Sequence, residues 1–343
     1  MSRETLVGYY DKLATLVEKL PGGLQKPIMH ELRPIREVFL DQRPARLLIL
    51  GDPGLSTPDF LCQLANLEML ESAESEQGWR RYRVEAKGSI QILDAREVGA
   101  DWVDSACQAA PPDLIVILRG DQTPEYWQSL IAQAKSISQK EPSKAIPLVG
   151  VLTGGRSAAT TQAFRAQMAE AGLGQVPVFP LTPEDRELLG HAFCGYLPNS
   201  AKLEFARLMG ARRAQAELAR SLLNSFSAIC GVVGTQPIPI ADLPVLASLQ
   251  TLMVGLIIYV SGRKAGPRLI AEFLGAVGVN FGAGLLLREG ARTVVRFVPG
   301  FGSAVSGFIA GGGTFLIGKA AIAYFIEGKG VKPGRFKVPP LLE

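Results

Sequence analysis

The chain has 343 residues, 47% of them hydrophobic, and a formal net charge of +4. This length is enough for two domains and a large core. The basic excess is small and the arginines are spread along the chain, whereas a nucleic-acid-binding surface requires a clustered basic face. No nucleic-acid partner is therefore predicted.

Few residues of the usual catalytic or metal-binding types are present. The two histidines argue against a histidine-based metal site and against a nucleophile–histidine triad. The cysteines lie far apart among apolar neighbours, without a C-x-x-C pair, which predicts buried free thiols in a reducing compartment. They are Cys62, Cys107, Cys194 and Cys230. Because residues 1–20 are charged and amphipathic, unlike a signal peptide, we expect a cytoplasmic protein.

Residues 1–44 predict two amphipathic helices, separated at Pro21-Gly22-Gly23. The second helix is expected from Pro27 to Asp41, with a kink or break at Pro34. Neither helix can bury its apolar stripe alone. We therefore expect the pair to pack on the C-terminal helices, so that one helical domain forms from both chain ends.

Residues 45–198 alternate between strand and helix patterns. The expected strands are 46–50, 79–84, 89–93, 114–118, 147–152 and 176–179. The expected helices are 57–71, 98–109, 124–138, 159–171 and 183–197. Continuous apolar runs such as LIVIL are typical of strands covered on both faces. One antiparallel pair followed by repeated strand–helix units predicts an α/β fold with a doubly wound, mostly parallel sheet.

The remaining chain is predicted to be mostly α-helical. Residues 199–222 read as a charged connector helix, 223–327 as an apolar, glycine-rich helical domain, and 328–343 as a basic tail. The stretches 243–262 and 297–318 reach the roughly 20 residues that cross a bilayer, so a transmembrane helix or hairpin is predicted. Interfacial attachment and a buried helical bundle are the alternatives. Five glycines would permit close helix approach: Gly307, Gly311, Gly312, Gly313 and Gly318.

The chain is organised around the segment that follows the first strand of the α/β region. The run Leu47 to Leu50 stops at Gly51-Asp52-Pro53-Gly54, and a helix is predicted directly afterwards. Ser56 or Thr57 is expected to cap that helix, because Pro58 suits its first position. Strand, glycine turn and helix in this order are the layout of a phosphate-binding loop.

Residues 45–198 resemble a degenerate Era-like, Ras-type GTPase domain, which has the P-loop NTPase fold. The leading helices end in RPARLLILG, and the C-terminal half contains PIPIADLPVLASLQ, FLGAVGVNFGAG and VPGFGSAVSGFIAGGGTFLIGKAAIAYF. These segments resemble the YcjF-type helical domain of unknown function found in bacterial GTPase-associated membrane proteins. The resemblance implies a location at the inner membrane and a protein partner, such as an active GTPase relative.

The GTPase motifs fail at the positions on which the chemistry depends. In the loop, Ser56 replaces a glycine, Thr57 replaces the phosphate-binding lysine, and Pro58 replaces the hydroxyl that binds Mg²⁺. In the D-x-x-G motif, Asp94 is present but Glu97 stands in place of the glycine. Together these losses predict a retained fold without phosphoryl-transfer activity.

The guanine-reading motif fails in the same way. It reads Thr153-Gly154-Gly155-Arg156, without its lysine and aspartate. We therefore expect no catalytic residue, no metal ligand and no cofactor, with GTP or GDP and Mg²⁺ as the alternative. A vestigial nucleotide site would consist of Gly51, Gly54, Ser56, Thr57, Asp94 and Thr153.

Three functions are open on these patterns. The first is a non-catalytic pseudo-GTPase with a membrane-associated helical domain that binds protein partners. The second is a weak or atypical GTPase whose missing lysine comes from Lys87 or from a partner. The third is a membrane-remodelling helical protein in which the α/β head serves only as a scaffold.

Overall fold

The computed structural model describes residues 22–68, 70–76, 78–85, 87–120, 127–139, 145–153, 158–235, 242–277 and 302–329, with scattered helical positions between 8 and 18. The chain divides into two compact units. One consists of residues 1–41 and 215–343, and the other of residues 42–214.

The unit of residues 42–214 is built on one seven-stranded sheet of order β2-β3-β4-β1-β5-β6-β7. The strands are β1 Ala45–Gly51, β2 Leu70–Glu76, β3 Trp79–Val84, β4 Gly88–Asp94, β5 Leu114–Arg119, β6 Leu148–Leu152 and β7 Val178–Pro180. Strands β4, β1, β5, β6 and β7 run parallel, whereas β3 is antiparallel to both of its neighbours. The predicted α/β fold with a mostly parallel sheet is confirmed.

The helices of this unit are α2 Thr57–Ala65, α3 Ala100–Ala109, α4 Trp127–Ser138, α5 Ala158–Glu170, α6 Arg186–Tyr196 and α7 Asn199–Met209. Leu48 and Leu50 belong to a buried cluster with side chains of α3, α4 and α5. Successive strand residues point to opposite faces, so the buried Leu47 and Ile49 face the other side of the sheet. There α7 contacts β1 and β4, and it packs on α2 and α6. The apolar runs are therefore covered on both sides.

Two predicted helices end earlier than expected. Helix α2 stops at Ala65, because Asn66 adopts a left-handed conformation with φ 55° and caps the helix. The segment that follows forms β2, a polar edge strand that the sequence analysis missed. The connector predicted over 199–222 is interrupted at Gly210, where φ is 62°. Its first half is α7, whose Glu204 accepts hydrogen bonds from the Ser89 backbone N–H at 2.7 Å and from its hydroxyl at 2.9 Å.

The unit of residues 1–41 and 215–343 is helical wherever it has regular structure in the described residues. Its helices are α1 Gly22–Phe39, α8 Arg212–Gly234 (which begins in the other unit), α9 Asp242–Val260, α10 over 267–277, and α11 Gly302–Phe325. Helix α1 continues through Pro34 without the predicted break. Residues from both parts of this unit line one small cavity. The N-terminal part contributes Tyr10, Ile35, Phe39 and Leu40, and the C-terminal part contributes Phe226, Leu252 and Leu256.

Glycines let α11 approach its neighbours closely. A Cβ atom on Gly311 would lie 2.9 Å from the Ser227 carbonyl oxygen of α8, and one on Gly318 would lie 2.3 Å from a methyl group of Leu223. Gly312 and Gly313 have nothing within 4 Å at the same position. The contacts of Gly307 lie outside the described residues. Two of the five predicted glycines therefore support helix packing.

The prediction of a transmembrane helix is wrong for the part of the chain that the structure describes. No helix there combines the length and the apolar character needed to cross a bilayer. Apolar side chains of α9 pack inside the protein instead, since Met253, Val254 and Ile257 are fully buried. Residues 297–301 of the second predicted span lie outside the described residues.

The cysteine prediction needs one correction. All four thiols are free, and three of them are buried, but Cys62 is exposed. Burial raises the pKa of the Cys230 thiol to about 11 against a smaller opposite effect of its hydrogen bond with Thr314. Cys62 differs because α2 is amphipathic, and position 62 lies on its exposed face between the buried Leu61 and Leu64.

Candidate functional site

The turn after β1 places the predicted loop at the carboxyl edge of the parallel strands, where open α/β sheets bind their ligands. Gly51 has φ +113°, and a Cβ atom there would lie 1.9 Å from the Leu118 carbonyl oxygen of β5. The next residue, Asp52, donates its backbone N–H to that same oxygen at 2.9 Å. Only glycine fits this close approach between β1 and β5. The strand packing therefore explains the glycine at position 51 without a bound ligand.

The start of α2 is capped by its own side chains. The Asp59 N–H donates to the Ser56 hydroxyl oxygen at 3.2 Å, and that hydroxyl donates to the Asp59 carboxylate at 2.5 Å. Pro58 lies in the first turn and has no N–H to offer. This end of the helix therefore presents fewer unpaired amides to an anion than a phosphate-binding loop does.

The Asp52 carboxylate binds backbone amides of the loop region. One of its oxygens accepts the Gly54 N–H at 2.8 Å, and the other accepts the Gly120 N–H at 3.2 Å. A Cβ atom on Gly120 would lie 2.3 Å from this carboxylate, so a side chain at position 120 would force the carboxylate to move. In a phosphate-binding loop, amides of this kind hold phosphate oxygens. Here an internal anion occupies them.

The Arg96 side chain fills the other half of the loop. It is only 5% exposed and forms an ion pair with Asp94 at 2.6 Å. Its guanidinium also donates to the Asp52 carbonyl oxygen at 3.1 Å, to the Leu55 carbonyl oxygen, and to the Thr57 hydroxyl at 3.1 Å. The loop therefore directs carbonyl oxygens at an internal cation, which is the arrangement opposite to one that binds a phosphate.

Asp94 connects this cluster to β4. Its carboxylate accepts the Thr57 hydroxyl at 2.5 Å, the Arg96 Nε–H at 2.8 Å and the Arg96 backbone N–H at 3.2 Å. Burial alone would raise the pKa of the Asp94 carboxyl, but these hydrogen bonds and the charge of Arg96 outweigh burial and lower it. Asp94 therefore stays ionised at neutral pH and is committed to Arg96 and Thr57.

Thr153 borders this cluster without entering its hydrogen-bond network. Its N–H at 2.8 Å and its hydroxyl at 3.1 Å both donate to the Arg119 carbonyl oxygen of β5. Its hydroxyl would lie 4.0 Å from a Cβ atom on Gly120. The Arg119 guanidinium stacks on the Phe164 ring at 5.2 Å, and its burial lowers the pKa of Arg119. Thr153 thus joins β5 to β6 at the sheet edge.

The structure brings five of the six predicted site residues together around two that the sequence analysis passed over. Gly54 bonds Asp52, and Thr57 and Asp94 bond Arg96, while Gly51 and Ser56 belong to the same loop. Asp52 belongs to a Gly-Asp-Pro-Gly turn and was assigned only to that turn. Arg96 lies two residues after Asp94, and such an Asp-x-Arg spacing was the available signal for a local ion pair.

The charges of the cluster oppose a polyanion. Its two carboxylates and one guanidinium give the cluster a negative net charge, and the guanidinium of Arg96 is already paired with Asp94. The lysine proposed as a substitute, Lys87, precedes β4, whereas Asp94 ends it. That strand separates them by about 20 Å at roughly 3.3 Å per residue, which exceeds the reach of a lysine side chain. Within the described residues there is also no group of three or more acidic, histidine or cysteine side chains that could hold a metal ion.

A second cavity, of about 490 Å³, lies at the opposite edge of the sheet. Cys107 and Ile137 are among the residues that line it, and two of its charged side chains, Arg43 and Asp113, bind each other. Arg43 forms a bidentate pair with Asp113 at 2.5 and 2.7 Å, which raises the pKa of Arg43 despite partial burial. None of the predicted site residues lines this cavity.

Comparisons with known proteins add no assignment, since neither a family model nor a curated protein matches the chain.

Proposed function

We propose that the unit of residues 42–214 is a non-catalytic pseudo-GTPase head that acts by binding protein partners. The observation that carries this proposal is the buried Arg96 guanidinium in the loop after β1. A nucleotide would have to displace Arg96 from four groups and the Asp52 carboxylate from two amides. No lysine of the loop is present to compensate, and the lysine and metal provide most of the charge stabilisation in phosphoryl transfer.

The proposal extends to location and partner. The resemblance in sequence favours a cytoplasmic protein at the surface of the inner membrane that binds an active GTPase relative. The apolar, glycine-rich helical region of residues 199–327 would provide the membrane attachment. This attachment is supported by two exposed apolar side chains of α11, Phe315 and Leu316. They lie near Gly312, where a Cβ atom would meet nothing within 4 Å. Such adjacent exposed apolar residues mark interaction sites more often than isolated ones do.

Isothermal titration calorimetry of the full chain with GTP, GDP and ATP at millimolar Mg²⁺ tests the central claim. We expect no saturable heat and no shift in melting temperature with any of the three nucleotides. The variant Gly54→Val provides the contrast, since a bulky residue there would obstruct a bound phosphate. Saturable binding by the wild-type chain that Gly54→Val abolishes would refute the pseudo-GTPase proposal and favour the atypical GTPase.

Flotation with vesicles of anionic phospholipid tests the membrane claim separately. We expect the full chain to float and the double variant Phe315→Asp/Leu316→Asp to remain at the bottom. Met29→Asp is the control, because Met29 is an equally exposed apolar residue on α1. Equal flotation of all three proteins would show that α11 is not the attachment surface.

A further inference from the structure

Two large apolar side chains are exposed immediately after the Arg96 cluster. Val98 is 42% exposed and Trp102 is 44% exposed, and only four positions separate them. Tryptophan is among the residues most enriched in the energetically dominant centres of protein interfaces. A tryptophan exposed to this extent costs apolar hydration in the isolated chain, so its position calls for an explanation.

The Trp102 ring has a defined seat on the main chain. Gly78, in the turn between β2 and β3, has φ +89°, and a Cβ atom there would lie 2.5 Å from the Trp102 atoms Cη2 and Cζ2. The absence of a side chain at Gly78 therefore creates the surface on which the ring rests. One part of the ring is fixed and the rest is exposed, so little conformational entropy is lost when a partner covers it.

Two acidic residues adjoin these side chains in the sequence. Glu97 and Asp101 are exposed and lie next to Val98 and Trp102 in sequence. Arg96, the nearest cation along the sequence, is buried and paired with Asp94. An apolar centre with carboxylates around it is complementary to apolar side chains that lysine or arginine flanks.

The Arg96 cluster also fixes the backbone that carries this surface. Arg96 bonds the loop and Asp94, and the Ala95 N–H donates to the Ile49 carbonyl oxygen at 2.9 Å. The segment that leads to Val98 is therefore held in one conformation without a bound ligand. A surface that is ordered before binding suits a head that does not change state with a nucleotide.

We propose that Val98 and Trp102, rimmed by Glu97 and Asp101, form the docking surface of this head for a partner-protein segment whose apolar side chains are flanked by lysine or arginine. This inference rests on the proposed partner-binding function and specifies its surface. A second copy of the chain is the competing occupant.

A synthetic 18-residue amphipathic peptide of leucine and lysine serves as the probe, with a leucine and glutamate peptide of the same pattern as its control. Calorimetric titration of the full chain is expected to give saturable binding of the lysine peptide only. Fluorescence provides a second readout, because Trp79 and Trp127 are buried while Trp102 is exposed, so binding should shift the emission of Trp102 to shorter wavelength.

Matched variants locate the binding. Trp102→Ala is expected to lower the affinity for the lysine peptide at least tenfold. The double variant Glu97→Lys/Asp101→Lys is expected to lower it by a similar factor, and the affinity that remains should depend less on salt concentration. Leu188→Ala is the control: Leu188 is 43% exposed in the same unit, and its removal should change the affinity less than twofold.

Four results would overturn the proposal: no binding of the lysine peptide, equal binding of the glutamate peptide, equal affinity of the Trp102→Ala variant, or self-association of the wild-type chain that Trp102→Ala abolishes in sedimentation. The nucleotide titration of the preceding section is a separate measurement. Failure of the docking surface with no nucleotide bound would therefore leave the pseudo-GTPase proposal intact, whereas nucleotide binding would refute that proposal directly.

Discussion

Replacing Arg96 with methionine tests whether the loop after β1 depends on its internal cation. Methionine retains most of the aliphatic length, so the change removes charge and donors more than packing. The Arg96 side chain is 5% exposed, whereas Asp94 is 32% exposed, so solvent weakens part of the interaction. Breaking a fully buried ion pair costs about 3–5 kcal/mol, and partial exposure places the expected loss for Arg96→Met near the lower limit, at about 3 kcal/mol.

Urea denaturation followed by tryptophan fluorescence measures this loss in the relevant unit. Trp79, Trp102 and Trp127 all belong to residues 42–214, so the signal reports the α/β unit. With an m value of about 2 kcal/mol/M, a loss of about 3 kcal/mol lowers the urea midpoint by about 1.5 M. The control Arg83→Met removes the same charge from an exposed position of β3 and should change stability by less than about 0.5 kcal/mol.

The same comparison across pH tests the charge of Asp94. Its pKa in the folded chain is lowered from the ordinary value of 3.8, so the unfolded chain binds the proton more readily. The stabilisation is therefore present above pH 3.8 and is lost as pH falls through the lower folded pKa. The midpoint difference between wild type and Arg96→Met should be constant near neutrality and shrink below that pH. A difference under about 1 kcal/mol at pH 7, or one that grows on acidification, would refute the internal-cation argument.

Three further substitutions test particular contacts. Gly51→Ala should lower the urea midpoint of the α/β unit by at least 1 M, because alanine meets both a positive φ and a β5 carbonyl oxygen, at a cost of about 2 kcal/mol or more. Gly311→Ala should lower the thermal midpoint in circular dichroism through its clash with α8, whereas Gly312→Ala should raise it, since helix propensity favours alanine over glycine by about 1 kcal/mol. Asp113→Ala should lower the free energy of unfolding, measured from the fluorescence transition, by about 2 kcal/mol, because the bidentate pair with Arg43 is lost. An unchanged midpoint in Gly51→Ala, Gly311→Ala or Asp113→Ala would contradict the contact that the variant removes or disturbs.

The sheet could be predicted because its central strands have one simple signature. The runs LLIL in β1, LIVIL in β5 and LVGVL in β6 are apolar at consecutive positions, as burial on both faces requires. The hairpin of β3 and β4 was also predicted, because Lys87-Gly88 marks a turn between the two strands. Strand β2 has the sequence LESAESE, without such a pattern, and edge strands with charged residues are common because charge discourages edge-to-edge pairing.

The candidate site was half predictable for a different reason. Motif comparison asks whether ligand-binding residues stand at expected positions. It found Gly51 and Asp94 in place, and Thr57 where the lysine is expected. It has no rule for a side chain that replaces the ligand. Arg96 and Asp52 acquire their roles from contacts across 44 and 68 positions of chain, and only the folded geometry shows them.

The assembly of one compact unit from residues 1–41 and 215–343 has a consequence for the newly made protein. During synthesis, the first segment emerges from the ribosome 173 residues (214 minus 41) before the chain that completes its core begins to appear. At roughly 5–20 residues per second, that interval lasts about 10–35 s. The intervening head can fold as a unit during this time. The apolar side of α1 stays uncovered until the C-terminal helices of its own unit have been made. Apolar surface that is exposed in this way during synthesis is prone to aggregate, and it is the kind of surface that chaperones cover.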